Sequence, residues 1–440
     1  MFWLSTIAAT VSGGRVYDFE KDANATAGED ASTDVAIANS LHLNTTLALL
    51  QPGDELYIPN RTYMMMGGVV GFGLDRATIR VDGTLRFSDD IKRWPTAGKM
   101  PLTALTFYNS TGLLFTSNGT GTLDGQGDKW WGIPGVGYLE RGKNRPALLS
   151  MQNATGLIVE RLSFVNSPRF HFISSGLVDA TIRFCEVSAR RSSSDSHTAL
   201  DLTAFNTDGF DVAGRNIHVH DVTVWNQDDT VAIKADKGMP TENVLVERVH
   251  ASGVGLTIGS IGAHEVRNVT FRDVVMHHTS KGIYIKFRDS GRNGSIRDVL
   301  YENIVIDTPS SWPIWIGPAQ QDIKDSSGGA YNPCHGDPCS LCWPGPFPSI
   351  HTTGNCEAVP GLFSNITLRN ISILNPQQSP GVIFGNDSQP IQGLVFDGVR
   401  VTNPPSDGAW GEAYYYCRGV ASGIAMGGTW PVPPCFLTAR

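Results

Sequence analysis

Four short blocks in the middle of the chain decide its fold: Asn206-Thr207-Asp208-Gly209-Phe210-Asp211, Gln227-Asp228-Asp229, Ser252-Gly253-Val254-Gly255-Leu256-Thr257-Ile258-Gly259-Ser260 and Gly282-Ile283-Tyr284-Ile285-Lys286. Asp208 to Asp228 is 20 residues, Asp228 to Val254 is 26, and Val254 to Tyr284 is 30. Steps of that size belong to a solenoid, in which side chains one coil apart in sequence become neighbours in space. Asp208, Asp228 and Asp229 are then expected to meet on one face of the stack. They form the candidate active site.

Outward from these blocks, one phrase recurs: a mostly apolar triplet, a polar pair, then another apolar residue. It reads Leu157-Ile158-Val159-Glu160-Arg161-Leu162, Ile217-His218-Val219-His220-Asp221-Val222, Val244-Leu245-Val246-Glu247-Arg248-Val249 and Val269-Thr270-Phe271-Arg272-Asp273-Val274. It returns in the phrases starting at Val299, Ile366 and Leu394, and the central starts are 27, 25 and 30 residues apart. No helical pattern intervenes, which argues against a βαβ fold. Parallel strands joined by short turns of one hand give a right-handed parallel β-helix, an all-β solenoid. Ahead of it, Val16-Tyr17-Asp18-Phe19 suits an opening edge strand. Asp34 to Leu43, with Ile37, Ala38 and Leu41 at helical spacing and Ser32 or Thr33 as cap, suits a short helix closing the open end.

The expected organisation is a weak leader-like segment at 1–14 and one β-helix domain over 15–440. A Cys-rich insertion at about 318–360 and a C-terminal cap at about 410–440 interrupt and end it. Arg190 to His197 marks a second widening of the coil. The formal net charge of −8 argues against a nucleic-acid partner. No apolar run is long enough for a membrane helix. Eleven Asn-x-Ser/Thr sequons, among them Asn24, Asn44, Asn109, Asn118, Asn153, Asn268 and Asn365, point to a secreted glycoprotein. In that setting Cys334, Cys339, Cys342 and Cys356 read as disulfide partners rather than zinc ligands, Cys417 and Cys435 as a terminal pair, and Cys185 as a buried free thiol.

Singly, each acidic block has a structural explanation: Asn-Thr-Asp-Gly suits an Asx turn, and Asp-Asp suits a strand end. Together, one coil apart, the three carboxylates repel, and at least one is expected to hold its proton. A protonated and an ionised carboxyl side by side are what glycosidic cleavage needs. His197, His218, His220, His277 and His278 invite a metal reading, but imidazoles within strands are more often surface or satisfied core groups, so no metal is expected, and no cofactor. Trp312 and Trp315 suit either sugar stacking or core packing. Asp211 is either a fourth carboxylate of the groove or a support for Asp208.

The four blocks, with Gly121-Thr122-Leu123-Asp124-Gly125-Gln126-Gly127, Trp130-Trp131 and Asn166-Ser167-Pro168, resemble the signature blocks of glycoside hydrolase family 28, the polygalacturonases and rhamnogalacturonan hydrolases. The resemblance runs in order over roughly residues 16 to 400. It implies a parallel β-helix and hydrolysis with inversion of a pectin-type polysaccharide by a secreted monomer. Asp228 would be the general acid, and Asp208 and Asp229 would hold and activate water. Asn206, Gln227, His171, Tyr284, Lys286 and Arg288 would line the substrate site. Adjacent coils bring acid and base closer than the 6.5–9.5 Å usual for inversion.

Two departures stand out. Val254 occupies the place of the family's His, and Tyr284 that of its Arg. Valine does no proton chemistry, and one hydroxyl does not replace a bidentate guanidinium. Beside polygalacturonan hydrolysis there stand rhamnogalacturonan or another decorated polymer as substrate, a polysaccharide lyase, and a carbohydrate-binding relative without turnover.

Overall fold

A computed structural model describes residues 14–132, 144–191, 204–288, 293–319, 323–324, 330–331, 358, 360–408 and 410–439. The recurring phrase is a corner. In each copy the second polar residue turns the chain with positive φ: Arg161 (57°), Asp221 (52°), Arg248 (51°), Asp273 (56°), Asn303 (55°), Asn370 (50°) and Gly398 (73°). The apolar positions on either side point inward. Val219, Val246, Phe271, Tyr301, Leu368 and Phe396 are all fully buried, one beneath the next.

Stacked in register, these phrases build a 19-stranded sheet, and a second, 11-stranded sheet closes the coil opposite it. Every ladder within the two is parallel, as in Val219↔Val246, Val246↔Phe271, Phe271↔Tyr301 and Tyr301↔Leu368. The chain is a right-handed parallel β-helix, as its sequence periodicity implies. Outside the corners, asparagines bond from coil to coil: Asn243 Nδ2 donates to Asn216 Oδ1 at 2.9 Å, and Asn268 Nδ2 to Asn243 Oδ1 at 2.7 Å. Asn tolerates the left-handed backbone there and satisfies its own neighbour, which fixes the register.

Val16–Asp18 is the opening strand and pairs with Glu55–Ile58. The closing helix spans Thr33–Leu49, longer than its sequence pattern indicates, with Ser32 as N-cap. Its buried face is also different: Leu41 is 61% exposed, whereas Ala36, Asn39, Ser40, Leu43 and Leu47 face the barrel. Polar residues occupy this face because it must satisfy backbone. Asn39 Nδ2 donates to Met64 O, Ser40 Oγ bonds both the carbonyl and the N–H of Met66, and Asn44 Oδ1 accepts from the Val70 N–H. At the other end Cys417 and Cys435 are disulfide-bonded. Cys185 is a buried free thiol whose pKa burial pushes up to about 12. Residues 1–13 of the leader-like segment, the four-Cys cluster and the widened coil after Arg191 lie outside the described residues.

Phe271 and Tyr301 stack with ring centroids 4.6 Å apart inside the coil. Truncation as Phe271→Ala is expected to cost about 3–5 kcal/mol, read by chemical denaturation, because a stacked core cannot collapse around one missing ring. A loss below about 1 kcal/mol would mean that the stack is not a supporting element.

Candidate active site

The site grows from one edge of the 11-stranded sheet. Phe172–Ser175, Phe210–Val212, Asp229–Ile233, Gly255–Ile261, Ile283–Phe287 and Ile314–Pro318 are successive neighbours there. The turns entering these strands are tied by backbone bonds. The His171 N–H donates to Asp208 O (2.9 Å), Gly209 N–H to Asp229 O (2.9 Å), Val254 N–H to Asp228 O (2.8 Å) and Lys281 N–H to Val254 O (2.9 Å). Residues scattered over a hundred positions of sequence therefore form one column about 4.8 Å apart. The Gly-x-Gly block is a backbone requirement of this column. Gly253 and Gly255 adopt φ of 137° and 123°, and a Cβ on Gly255 would lie 2.5 Å from Gly282 O.

Asp208, Asp228 and Asp229 meet as expected: one carboxylate oxygen from each lies within 4.8 Å of the others, and all three residues are buried. Such a trio has the donor set of a hard-cation site. Two ammonium groups supply the positive charge instead. Lys286 Nζ donates to Asp229 Oδ2 at 2.8 Å. Lys234 Nζ lies 3.5 Å from Asp208, 3.3 Å from Asp211 and 3.6 Å from Asp229.

The surroundings split the carboxyls. Burial, then the charges of Asp208 and Asp229, push Asp228 up to about 8. Asp228 Oδ2 accepts from the Asn206 N–H at 2.8 Å and its Oδ1 from the Asp229 N–H at 2.8 Å. Burial, then the charge of Asp211, raise Asp208 well above the usual carboxylate range. Burial acts on Asp229 in the same sense. There the charges of Lys286 and Lys234, with hydrogen bonds from Lys286 and from Thr257 Oγ1 at 2.7 Å, outweigh it and hold the group ionised. Asp211 sits between, raised to about 6 by burial against the opposing pull of Lys234. It supports Asp208 through their common lysine.

The other sequence-derived candidates sort differently. Asn206 holds Asp228, and Gln227 is buried, its Nε2 donating to Ala189 O at 3.2 Å. His171 is fully buried with both ring nitrogens engaged: Nε2 accepts from the Ser167 N–H, and Nδ1 faces the carbonyls of Thr207 and Asp208. It fixes the Asp208 turn from below and does not line a groove; burial lowers it to about 4, so it stays neutral. Arg288 does not share a strand face with Lys286, because the strand ends at Phe287 and Arg288 is exposed beyond it. Tyr284 and Val254 are buried in an apolar cluster with Phe205, Trp312, Trp315 and Phe384. Trp315 is fully buried and Trp312 4% exposed, so both take the packing role. Three side chains beside the trio lie outside the four blocks: Lys234, Lys281 and the half-buried Arg169, whose pKa burial lowers against the opposing pull of Asp208, Asp211 and Asp228. Coil-by-coil alignment is the signal for Lys234, whose N–H bonds Val212 O beside Asp211.

The raised Asp228 sets the sign of a stability effect. Unfolded, the group ionises near pH 4; folded, it holds its proton to about pH 8. The folded state therefore binds the extra proton in between, and stability falls as pH rises through that window. Asp228→Asn removes the titration. Its Tm is expected to exceed that of the wild type by a few degrees at pH 8, with the gap closing toward pH 4. Parallel Tm–pH profiles would contradict the assignment.

Residues 54–332 match the model of Glycosyl hydrolases family 28. Over 266 residues the chain is 30% identical to a polygalacturonase of Cryptomeria japonica, a match covering 58% of this chain and 46% of that one. It is 27% identical over 292 residues to rhamnogalacturonase A of Aspergillus niger, covering 64% and 57%. The chain thus spans about half the length of the curated relatives it matches. Among solved structures, endo-xylogalacturonan hydrolase from Aspergillus tubingensis superposes with a TM-score of 0.66 at 21% identity, over 97% of this chain and 99% of that one. A polygalacturonase from Erwinia carotovora does so with a TM-score of 0.63 at 20% identity, over 90% and 94%. Those superpositions share the β-helix fold. The family match covers well over half of the chain and contains all four blocks, so the protein belongs to family 28 of the glycosyl hydrolases.

Proposed function

We propose that the protein is a secreted hydrolase that cleaves a pectin-type polysaccharide with inversion at the anomeric carbon. One observation carries the reading: Asp228 holds its proton while Asp229, next in sequence, is kept ionised by Lys286 and Thr257. An acid and a base poised side by side are the two groups that hydrolysis of a glycosidic bond requires. Asp228 donates its proton to the glycosidic oxygen as the bond to the anomeric carbon breaks. Water attacks that carbon from the opposite face and gives a proton to Asp229. Asp208 completes the water seat: its Oδ1 accepts no hydrogen bond among the described residues.

The spacing alone would suit a covalent route, since paired carboxyls closer than about 5.5 Å mark retaining enzymes. Inversion is what the family resemblance implies. Asp229, with its Oδ1 on the Thr257 hydroxyl and its Oδ2 on the Lys286 ammonium, is held ionised and fixed in place beside Asp228. Secretion is supported by exposed sequon asparagines, including Asn24, Asn109, Asn118, Asn153, Asn268 and Asn365.

A second substrate reading rests on Val254 and Tyr284. An apolar residue and a tyrosine where the family carries His and Arg favour a decorated polymer, such as rhamnogalacturonan, over plain galacturonan. Chromatography of products from galacturonan, xylogalacturonan and rhamnogalacturonan distinguishes the two. Oligosaccharide binding with no turnover on any of them would make the chain a binding relative.

Asp228→Asn is expected to lower release of reducing ends by at least a thousandfold while the fold survives, and NMR of the first product is expected to show the inverted anomer. Retained activity, or the retained anomer, overturns the mechanism. Lys234 lowers the acids it touches, so Lys234→Met is expected to move the acidic limb of kcat/KM to higher pH; an unmoved limb would leave Lys234 a purely structural cation.

A further inference from the structure

Among the described residues, Lys281 is the lysine beside the trio that has no carboxylate within ion-pair distance. It sits on the turn entering Ile283–Phe287, one coil beyond Val254 and two beyond Asp228, and is 2% exposed. Among the described residues no carboxylate lies within 4.0 Å of its Nζ, whereas Lys286 and Lys234 both hold acids of the trio. Its neighbours are rings: Nζ stands 4.8 Å from the Tyr284 centroid and 5.6 Å from that of Trp315. Lys286 Nζ lies 4.4 Å from the same Tyr284 ring. Two ammonium groups thus flank one phenol, and only one of them is neutralised.

As a core filler this lysine is a poor choice. Ring faces compensate a desolvated ammonium in part, but a buried cation without an anion is costly, and methionine would fill the same space at no electrostatic cost. Burial, reinforced by the Lys286 charge and opposed by the more distant charges of Asp229 and Asp228, pulls it down to about 7. Groups kept under such strain beside a reactive cluster are candidates for use. Position narrows the use. The column runs Asp208, Asp228, Val254, Lys281 along the axis, so Lys281 stands on the C-terminal side of the acids, two coils from Asp228.

We infer that Lys281 is an anion seat for the substrate, taking the carboxylate of a uronic acid residue that lies on the C-terminal side of Asp228, with the Tyr284 and Trp315 rings holding the ammonium in place. The inference rests on the reading of the site as one that binds a pectin-type chain. It assigns to a neighbouring coil the carboxylate recognition that Tyr284 cannot supply.

The test separates binding from turnover. Trigalacturonate and its fully methyl-esterified form are titrated calorimetrically into the full chain carrying Asp228→Asn, with and without Lys281→Met. The expected result is at least tenfold tighter binding of the acid than of the ester. Lys281→Met is expected to remove most of that preference, leave the ester unchanged and hold or raise Tm. Lys281→Arg is expected to restore the preference. Equal binding of acid and ester, or a preference that survives Lys281→Met, overturns the inference and assigns acid recognition, if any, to Lys286 or Lys234. If Lys281→Met does not fold, Lys281→Gln is read in the same way. Hydrolysis by the wild type is scored separately: a Lys281-dependent preference without reducing ends from any pectin polymer would defeat the catalytic reading and leave the anion seat standing.

Discussion

The bond between Lys286 and Asp229 is the interaction on which the site depends. Three carboxylates within 4.8 Å of one another, all buried, do not coexist ionised. Something must decide which of them keeps its charge. The 2.8 Å contact from Lys286 Nζ, seconded by Thr257 and by the more distant Lys234, gives the charge to Asp229. Burial drives Asp228 the other way, and the charges of Asp208 and of Asp229 next to it add to that push. Without Lys286 the three acids would titrate as an undivided group, and no member would be reliably an acid or a base at working pH. The division of labour is therefore made by a strand two coils away from Asp229.

That strand is held at the right height by parallel stacking alone. Each coil adds one strand spacing, and a left-handed residue at each corner returns the chain to the same angular position. The asparagine contacts outside and the stacked apolar side chains inside prevent slippage by a residue, which would turn every outward side chain inward. The outward row Asp211, Ala232, Thr257, Tyr284, Trp315 shows the consequence: five residues spread over more than a hundred positions share one line across the sheet. Chemistry at one end of this row passes into aromatic packing at the other.

Much of this was legible in the sequence. The phrase at Ile217, Val244 and Val269 carries both the inward apolar period and the corner, so the coil could be counted. The blocks around Asp208 and Asp228 could then be stacked. The sequence was less informative wherever a residue's role depends on what lies across a coil. Lys234 and Lys281 stand in unremarked positions, and only the register reveals that, among the described residues, one touches three acids and the other none. His171 looked like a groove residue because it follows Asn166-Ser167-Pro168. Its ring instead fills a buried gap between two turns, where three backbone groups need partners. The helix at Thr33–Leu49 departs from its sequence pattern for a related reason: it covers exposed backbone at the end of the sheets, so its inner face is partly polar.

The two departures from the family's blocks are explained together by that same row. Replacing a histidine by Val254 and an arginine by Tyr284 removes two polar groups from the C-terminal side of the acids, and both new side chains join one apolar cluster with Trp312 and Trp315. An arginine at 284 would bring a second fixed cation against Lys286 and compete with it for Asp229. A tyrosine does not compete, and its ring faces Lys286 Nζ at 4.4 Å. The exchange thus leaves Asp229 with an undivided partner, and it surrounds the acids with a lower dielectric in which that pairing is stronger. Lys286 thus serves the carboxylate trio, while Lys281, one coil beyond Val254, stands against the Tyr284 and Trp315 rings.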